Sequence, residues 1–211
     1  MGTTGEAFKL GDVLRSVAAA LEVPVKVILI ILILSAAALL GWIIAEFFTE
    51  RRRLKVKLPA LLEDIRSGKV QLTDAISSAG LLQRQKEALL ELTRHPGFNE
   101  AMMEALAVRL IEQEQAVYDR RLKLSELVAR LGPMFGLLGT LIPLGPGIIA
   151  LGQGDTFTLS TSLLTAFDTT IAGLSAAAVA TIITSIRRAW YKDYMSILEA
   201  LASCVLEILK R

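Results

Sequence analysis

From Leu131 to Ile186 the chain is apolar, and between Arg130 and Arg187 the only formal charges are Asp155 and Asp168. A run of that length, interrupted by the polar stretch Gln153-Gly154-Asp155-Thr156, predicts two membrane-spanning helices joined by a short turn. Earlier in the chain, Val27 to Ala45 carries no charge, and with its flanks to about Phe48 it supplies the roughly 20 residues that cross a bilayer core. Before it, Ala7, Phe8, Leu10, Val13, Leu14, Val17, Ala18 and Leu21 recur at helical spacing, with Lys9, Asp12, Arg15 and Ser16 on the other side. That segment reads as a short interfacial helix. It has neither the basic start nor the small-residue cleavage site of a signal peptide, so no cleavage is expected.

Between the first and second spans charges run throughout. Pro59 opens a helix with Leu61, Leu62 and Ile65 on one face, Gly68 stops it, Thr73-Asp74 restarts one, and Leu81 to Thr93 continues. His95-Pro96-Gly97 breaks the pattern; Asn99 then caps a long helix that runs into the second span. The expected architecture is an all-α membrane protein. Its segments are an interfacial helix (1–23), a first span (24–49), a helical cytoplasmic domain (50–130), a second span (131–152), an extracytoplasmic turn (153–157), a third span (158–186) and a cytoplasmic C-terminal helix (187–211). Orientation follows from the basic residues. Arg51, Arg52, Arg53, Lys55 and Lys57 follow the first span, Arg187, Arg188 and Lys192 follow the third, and the turn has neither Lys nor Arg. Both flanks place the N-terminus outside and the C-terminus inside.

Composition agrees with this class, at 53% hydrophobic residues and a mean hydropathy of +0.53. A net charge of +2 is too small to imply nucleic acid. The single cysteine, Cys204, excludes an intrachain disulfide and reads as a buried thiol. His95, the only histidine, reads as a partner of a helix C-terminus rather than a ligand. There is no nucleophile with a base, no metal-ligand cluster and no phosphate loop, so neither an enzyme nor a cofactor is expected.

Chemistry is therefore sought among the polar groups of the spans, since lipid offers them no partner. On the second span Pro133, Gly136, Thr140, Pro143 and Gly147 share one face at about 100° per residue. This stripe suits either close helix packing, with Thr140 bonded to its own backbone, or the wall of a pore. On the third span Ala166, Thr170, Gly173, Ala177, Thr181 and Thr184 form one stripe, and Thr161, Thr165, Asp168, Ala172 and Ser175 another, with Thr170 and Asp168 about 200° apart. Two polar faces on one helix suit a subunit that touches both a central path and a neighbour, which implies an oligomer. Asp168, about a dozen residues into the span, must be protonated, paired or hydrated.

At these residues the chain resembles the MotA/TolQ/ExbB proton channel family, the membrane subunits of ion-driven motors. The matching pieces are Gly136-Leu137-Leu138-Gly139-Thr140 and Thr169-Thr170-Ile171-Ala172-Gly173-Leu174 followed by Ala176-Ala177. Their order and separation, with three spans and a domain after the first, are closest to the TolQ/ExbB branch. The resemblance implies a multi-pass protein of the prokaryotic inner membrane that forms a pentamer around the single spans of a dimeric ExbD/TolR-like partner, whose membrane aspartate takes up and releases protons. It implies an ion path lined by Thr140 and Thr170; from the chain's own polar and small residues, Thr169, Thr165 and Asp168 are expected beside that path, and Gly136, Gly139, Gly173 and Pro143 in helix packing. The family carries a glutamate where Thr165 stands, a proline where Val179 stands and none at Pro143. Asp168 therefore either replaces the missing acid or serves a contact. Two other readings stand beside the motor subunit: a self-contained ion channel or transporter using Asp168, and a non-conducting membrane scaffold.

Overall fold

The computed structural model describes residues 3–51, 72–95 and 97–209, with side chains from Val13 onward apart from Leu14, Glu50 and Arg51. The basic cluster from Arg52 to Lys57 and the helix expected between Pro59 and Gly68 lie outside the described residues, as do Pro96 and the side chains of Lys9 and Asp12. Among the described residues all regular structure is helical. Helix α1 runs from Thr3–Glu46 and ends in a π-helical turn, Phe47–Arg51. Two short helices follow, α2 (Leu72–Ser78) and α3 (Gln83–Thr93). Two long ones complete the chain, α4 (Glu100–Gly152) and α5 (Thr156–Leu209). Helices α1, α4 and α5 are each long and apolar enough to cross a membrane.

Local chemistry sets the ends of these helices. The Asn99 side-chain oxygen accepts the Met102 N–H at 2.8 Å, satisfying a donor that the first turn of α4 would otherwise leave open. At the far end of α4 the amides of Gly154 and Asp155 return to the carbonyls of Leu151 and Ala150 at 3.1 and 2.9 Å. This closure requires a left-handed residue, and Gly154 supplies it with φ of 78°. Asp155 then caps α5, accepting the Thr158 N–H at 3.0 Å and its hydroxyl at 2.5 Å. These bonds hold the Asp155 carboxyl below its usual pKa. Only Gln153 to Asp155 separate α4 from α5. The two helices accordingly turn back on each other as a hairpin.

Within α1 the sequence pattern changes at Pro24, yet the helix is continuous from Thr3–Glu46. Proline removes one N–H, which leaves the Ala20 carbonyl without its helical donor, and the long apolar segment that follows carries the helix onward. In α4, Pro133, Pro143 and Pro146 do the same to the carbonyls of Ala129, Gly139 and Ile142.

The chain divides into two units, one of Met1–Leu40 with Leu124–Ile183, the other of Gly41–Lys123 with Thr184–Arg211. In the first unit α4 and α5 approach backbone to backbone. A Cβ on Gly132 would stand 2.5 Å from the carbonyl oxygen of Gly173, one on Gly139 would stand 2.6 Å from Cβ of Thr169, and one on Gly173 would overlap the Gly132 carbonyl. Gly136 is roomier, its nearest atoms at 3.5 Å. Buried Ala166, Thr169, Ala176, Ala177 and Ala180 continue the small face of α5. Hydrophobic sorting cannot choose among contacts in lipid, so close approach of small residues is what brings such helices together.

In the second unit, α2 and α3 pack on the first half of α4 and the last part of α5 through Ile76, Leu89, Leu92, Met103, Leu201 and Val205. Gln85, which is 1% exposed, ties the layers: its oxygen accepts the Leu82 N–H at 3.2 Å and its amide donates to the Tyr194 carbonyl at 2.8 Å. Arg84 meets Glu114 through two bonds of 3.0 Å, and this pairing raises the guanidinium pKa. His95 stacks on Phe98 at 4.7 Å and pairs with Glu91 at 3.3 Å.

The hairpin seam predicts a sharp position dependence. Gly132→Ala should lower the unfolding free energy of the detergent-solubilised protein by about 1–3 kcal/mol through overpacking. Gly145→Ala, where nothing lies within 4 Å, should be neutral or mildly stabilising, since alanine is the better helix former. Equal effects at the two sites would contradict the packing described.

Candidate functional site

The polar groups of the first unit separate by edge. Along one edge of the hairpin lies α1. Its residues Arg15, Ala18 and Leu21 share an apolar groove with Leu138, Leu141 and Ile149 of α4. Further along, Lys26, Leu29, Ile30 and Ile33 share a cavity of about 320 Å3 with Thr165, Asp168, Thr169 and Ala172 of α5. Asp168 is therefore on the α1 side. At about 100° per residue, Thr140 is turned about 160° from Leu138, and Thr170 about 160° from Asp168. Both threonines consequently sit on the edge away from α1. Gly136 meets Thr170 across the seam, and Thr140 is one helical turn further along α4, about 6 Å. The side chains around them are apolar and exposed, including Leu137, Phe167 and Leu174.

Hydrogen bonding distinguishes the two hydroxyls. Thr140 donates to the Leu137 carbonyl at 2.7 Å, so its oxygen remains an acceptor for anything that approaches. Thr161, Thr165, Thr169 and Thr181 of α5 likewise donate to carbonyls one turn back, at 2.7–3.1 Å. Thr170 makes no such bond. It is half-buried, and among the described residues it is the threonine between Thr161 and Thr181 whose hydroxyl is left uncommitted. The edge thus offers two hydroxyls within an apolar wall, groups that can solvate a carboxylic acid or pass a proton without binding it tightly.

Of the residues the sequence singles out for packing, Gly139 and Gly173 have no room for a side chain, Gly136 makes ordinary contact and Pro143 is buried. Pro133, on the same expected stripe, is exposed, and its neighbour Gly132 occupies the seam. Thr169 is buried against Gly139. Thr165 stands with Asp168 in the α1-side cavity. Asp168 is exposed and makes no hydrogen bond or ion pair among the described residues. A bare carboxylate at mid-span costs about 2.5–3.5 kcal/mol on insertion scales.

The second unit holds a buried cluster that the sequence analysis passed over. Glu46, at the end of α1, and Arg187, on α5, are 4% and 1% exposed. Arg187 Nε donates to Glu46 Oε2 at 2.9 Å, and Nη2 lies 2.9 Å from the same oxygen. The Tyr191 hydroxyl donates to Oε1 at 2.7 Å, Arg121 of α4 comes within 3.7 Å of it, and the Trp42 ring lies 5.1 Å from the guanidinium. One carboxylate thereby accepts from two side chains of α5 and forms a longer ion pair with a third side chain from α4. Glu46 and Arg187 each mark the end of an apolar run, which is the trace the pairing leaves in the sequence.

The model of the MotA/TolQ/ExbB proton channel family matches residues 71–200, which contain α2, α3, all of α4 and most of α5. The chain belongs to that family. No curated protein matches it. Membership makes this a membrane protein of proton channel type and places both threonine-bearing helices inside the family's shared region. The first span precedes the match, so Glu46 pairs a residue outside the shared region with Arg187 inside it.

Removing half of that buried pair should cost more than removing a neutral partner. Glu46→Gln strands the Arg187 charge and should destabilise the detergent-solubilised protein by about 3–5 kcal/mol. Tyr191→Phe should cost about 1 kcal/mol. Chemical unfolding of both variants checks this, and equal losses would mean that Glu46 is not the counter-charge.

Proposed function

We propose that this protein is the ion channel subunit of a motor driven by the ion-motive force in a prokaryotic cytoplasmic membrane. Five copies surround the single spans of an ExbD/TolR-like dimer, with the N-terminus outside and the second unit in the cytoplasm. The edge carrying Thr140 and Thr170 faces the partner helices, and Thr169 lies behind it. A membrane aspartate on the partner takes up a proton or sodium ion and releases it as the partner moves, while the threonine hydroxyls solvate it in passing. One charge crossing 100 mV releases about 2.3 kcal/mol, enough to bias such a movement.

The observation that carries this reading is the uncommitted Thr170 hydroxyl on the edge it shares with Thr140, away from α1. Thr140 and the neighbouring threonines of α5 spend their protons on their own helices, so Thr140 offers that edge only an acceptor, and Thr170 is the hydroxyl with a proton to donate. The wall around it is otherwise apolar, so an ion on that edge has few groups to meet besides these hydroxyls. The family's pore glutamate is replaced here by Thr165, which leaves the acid of the path to the partner.

Liposomes holding this chain with the single-span protein encoded beside it test the proposal through proton and sodium uptake. Uptake should require the partner and fall at least tenfold with Thr170→Val, while Thr161→Val, on another face and already bonded to its own backbone, should leave it within twofold. Uptake by this chain alone would instead establish a self-contained channel. Equal uptake by both variants would remove Thr170 from the path, and no flux of either ion with the partner present would favour a scaffold.

A further inference from the structure

Lys26 lines the α1-side cavity. Lys26 and Asp168 are the two charged residues that line it, and the other lining residues are apolar apart from Thr165 and Thr169. Both threonine hydroxyls are spent on their own helix. The Lys26 ammonium is held by Glu22, one turn back on α1, at 2.6 Å, with both side chains 45% exposed. Such an exposed pair within one helix is weak and readily exchanged. Asp168 has no partner of its own among the described residues. A charge in a span is retained where it is paired or serves an ion path, and the flexible four-carbon stem of lysine lets one ammonium serve two carboxylates.

We infer that Lys26 is the intramembrane counter-ion of Asp168, shared between it and Glu22, and that the bridge it forms from α1 to α5 keeps Asp168 out of the ion path. The charge pair secures the first span to the hairpin on the edge opposite Thr140 and Thr170. It gives the acid a structural task where the sequence left a choice between conduction and contact. Lys26 follows directly from this as a positioning residue, one that acts by holding α1 and never meets the ion.

The test is a double-mutant cycle on the full chain, read by the midpoint of thermal unfolding in detergent, which needs no ion flux and so stands or falls separately from the motor reading. Lys26→Met should lower the midpoint by about 5 °C or more, and Asp168→Asn in the Lys26→Met background should restore at least half of the loss. Additive losses would overturn the pairing. Should Lys26→Met fail to accumulate, recovery of the protein by the added Asp168→Asn supports the pairing, and failure of both while Asp168→Asn alone accumulates overturns it. With the partner in liposomes, the double variant should take up ions within twofold of the wild type. A tenfold loss in a double variant whose midpoint has recovered would put Asp168 in the path and overturn the second half of the inference.

Discussion

Lipid is as apolar as leucine, so α4 and α5 gain nothing from merely touching; what joins them is the close approach that Gly132, Gly139 and Gly173 allow. Every later feature of the hairpin depends on that contact. Because the glycines occupy the inward faces, the threonines and the carboxylate are displaced to the two outer edges. Because the backbones meet, the two helices are held in one register, and Thr170 stands one turn from Thr140. A seam of leucines would have separated the helices by several ångströms and left room for either helix to slide.

The same seam explains which parts of the site could be read from the chain. Three apolar spans, the Gly154 turn and the Asn99 cap are local signals, each contained within a few consecutive residues, and they were legible. The face of a helix is legible to within about one residue. Counting at 100° placed Thr170 opposite Asp168, and in the structure Asp168 lines the α1-side cavity while Thr170 meets Gly136 across the seam; the same counting drew the α4 stripe through Pro133 where Gly132 takes the seam. Which edge receives α1 could not be counted at all, since periodicity in one helix says nothing of where a third helix will lie. That placement decides the surroundings of Asp168.

The Glu46 cluster lies beyond sequence reading for a different reason. Its members are 141 and 145 residues apart, and each alone has an ordinary explanation: an acid after an apolar run, an arginine flanking a span, a tyrosine at an interface. Only their meeting is informative. A buried pair is a poor source of net stability, because desolvating two charges offsets most of their attraction. Its use is specificity: with Arg187, Tyr191 and Arg121 all directed at one carboxylate, the end of α1 has a single well-satisfied position.

Two charge arrangements therefore act on α1, and they differ in kind. The one at Glu46 is dry, many-partnered and held at 2.7–2.9 Å by its closest donors, so exchanging partners there would leave a charge stranded in the interior. The Lys26 ammonium is half-exposed, as is its partner Glu22, and a second carboxylate residue, Asp168, lines the same cavity, so exchange costs it little. A helix fixed firmly at one point and loosely at another yields first at the loose one. A displacement on the α1 side of the hairpin is therefore met first at the cavity lined by Lys26 and Asp168, where the flexible stem of a lysine can follow the acid.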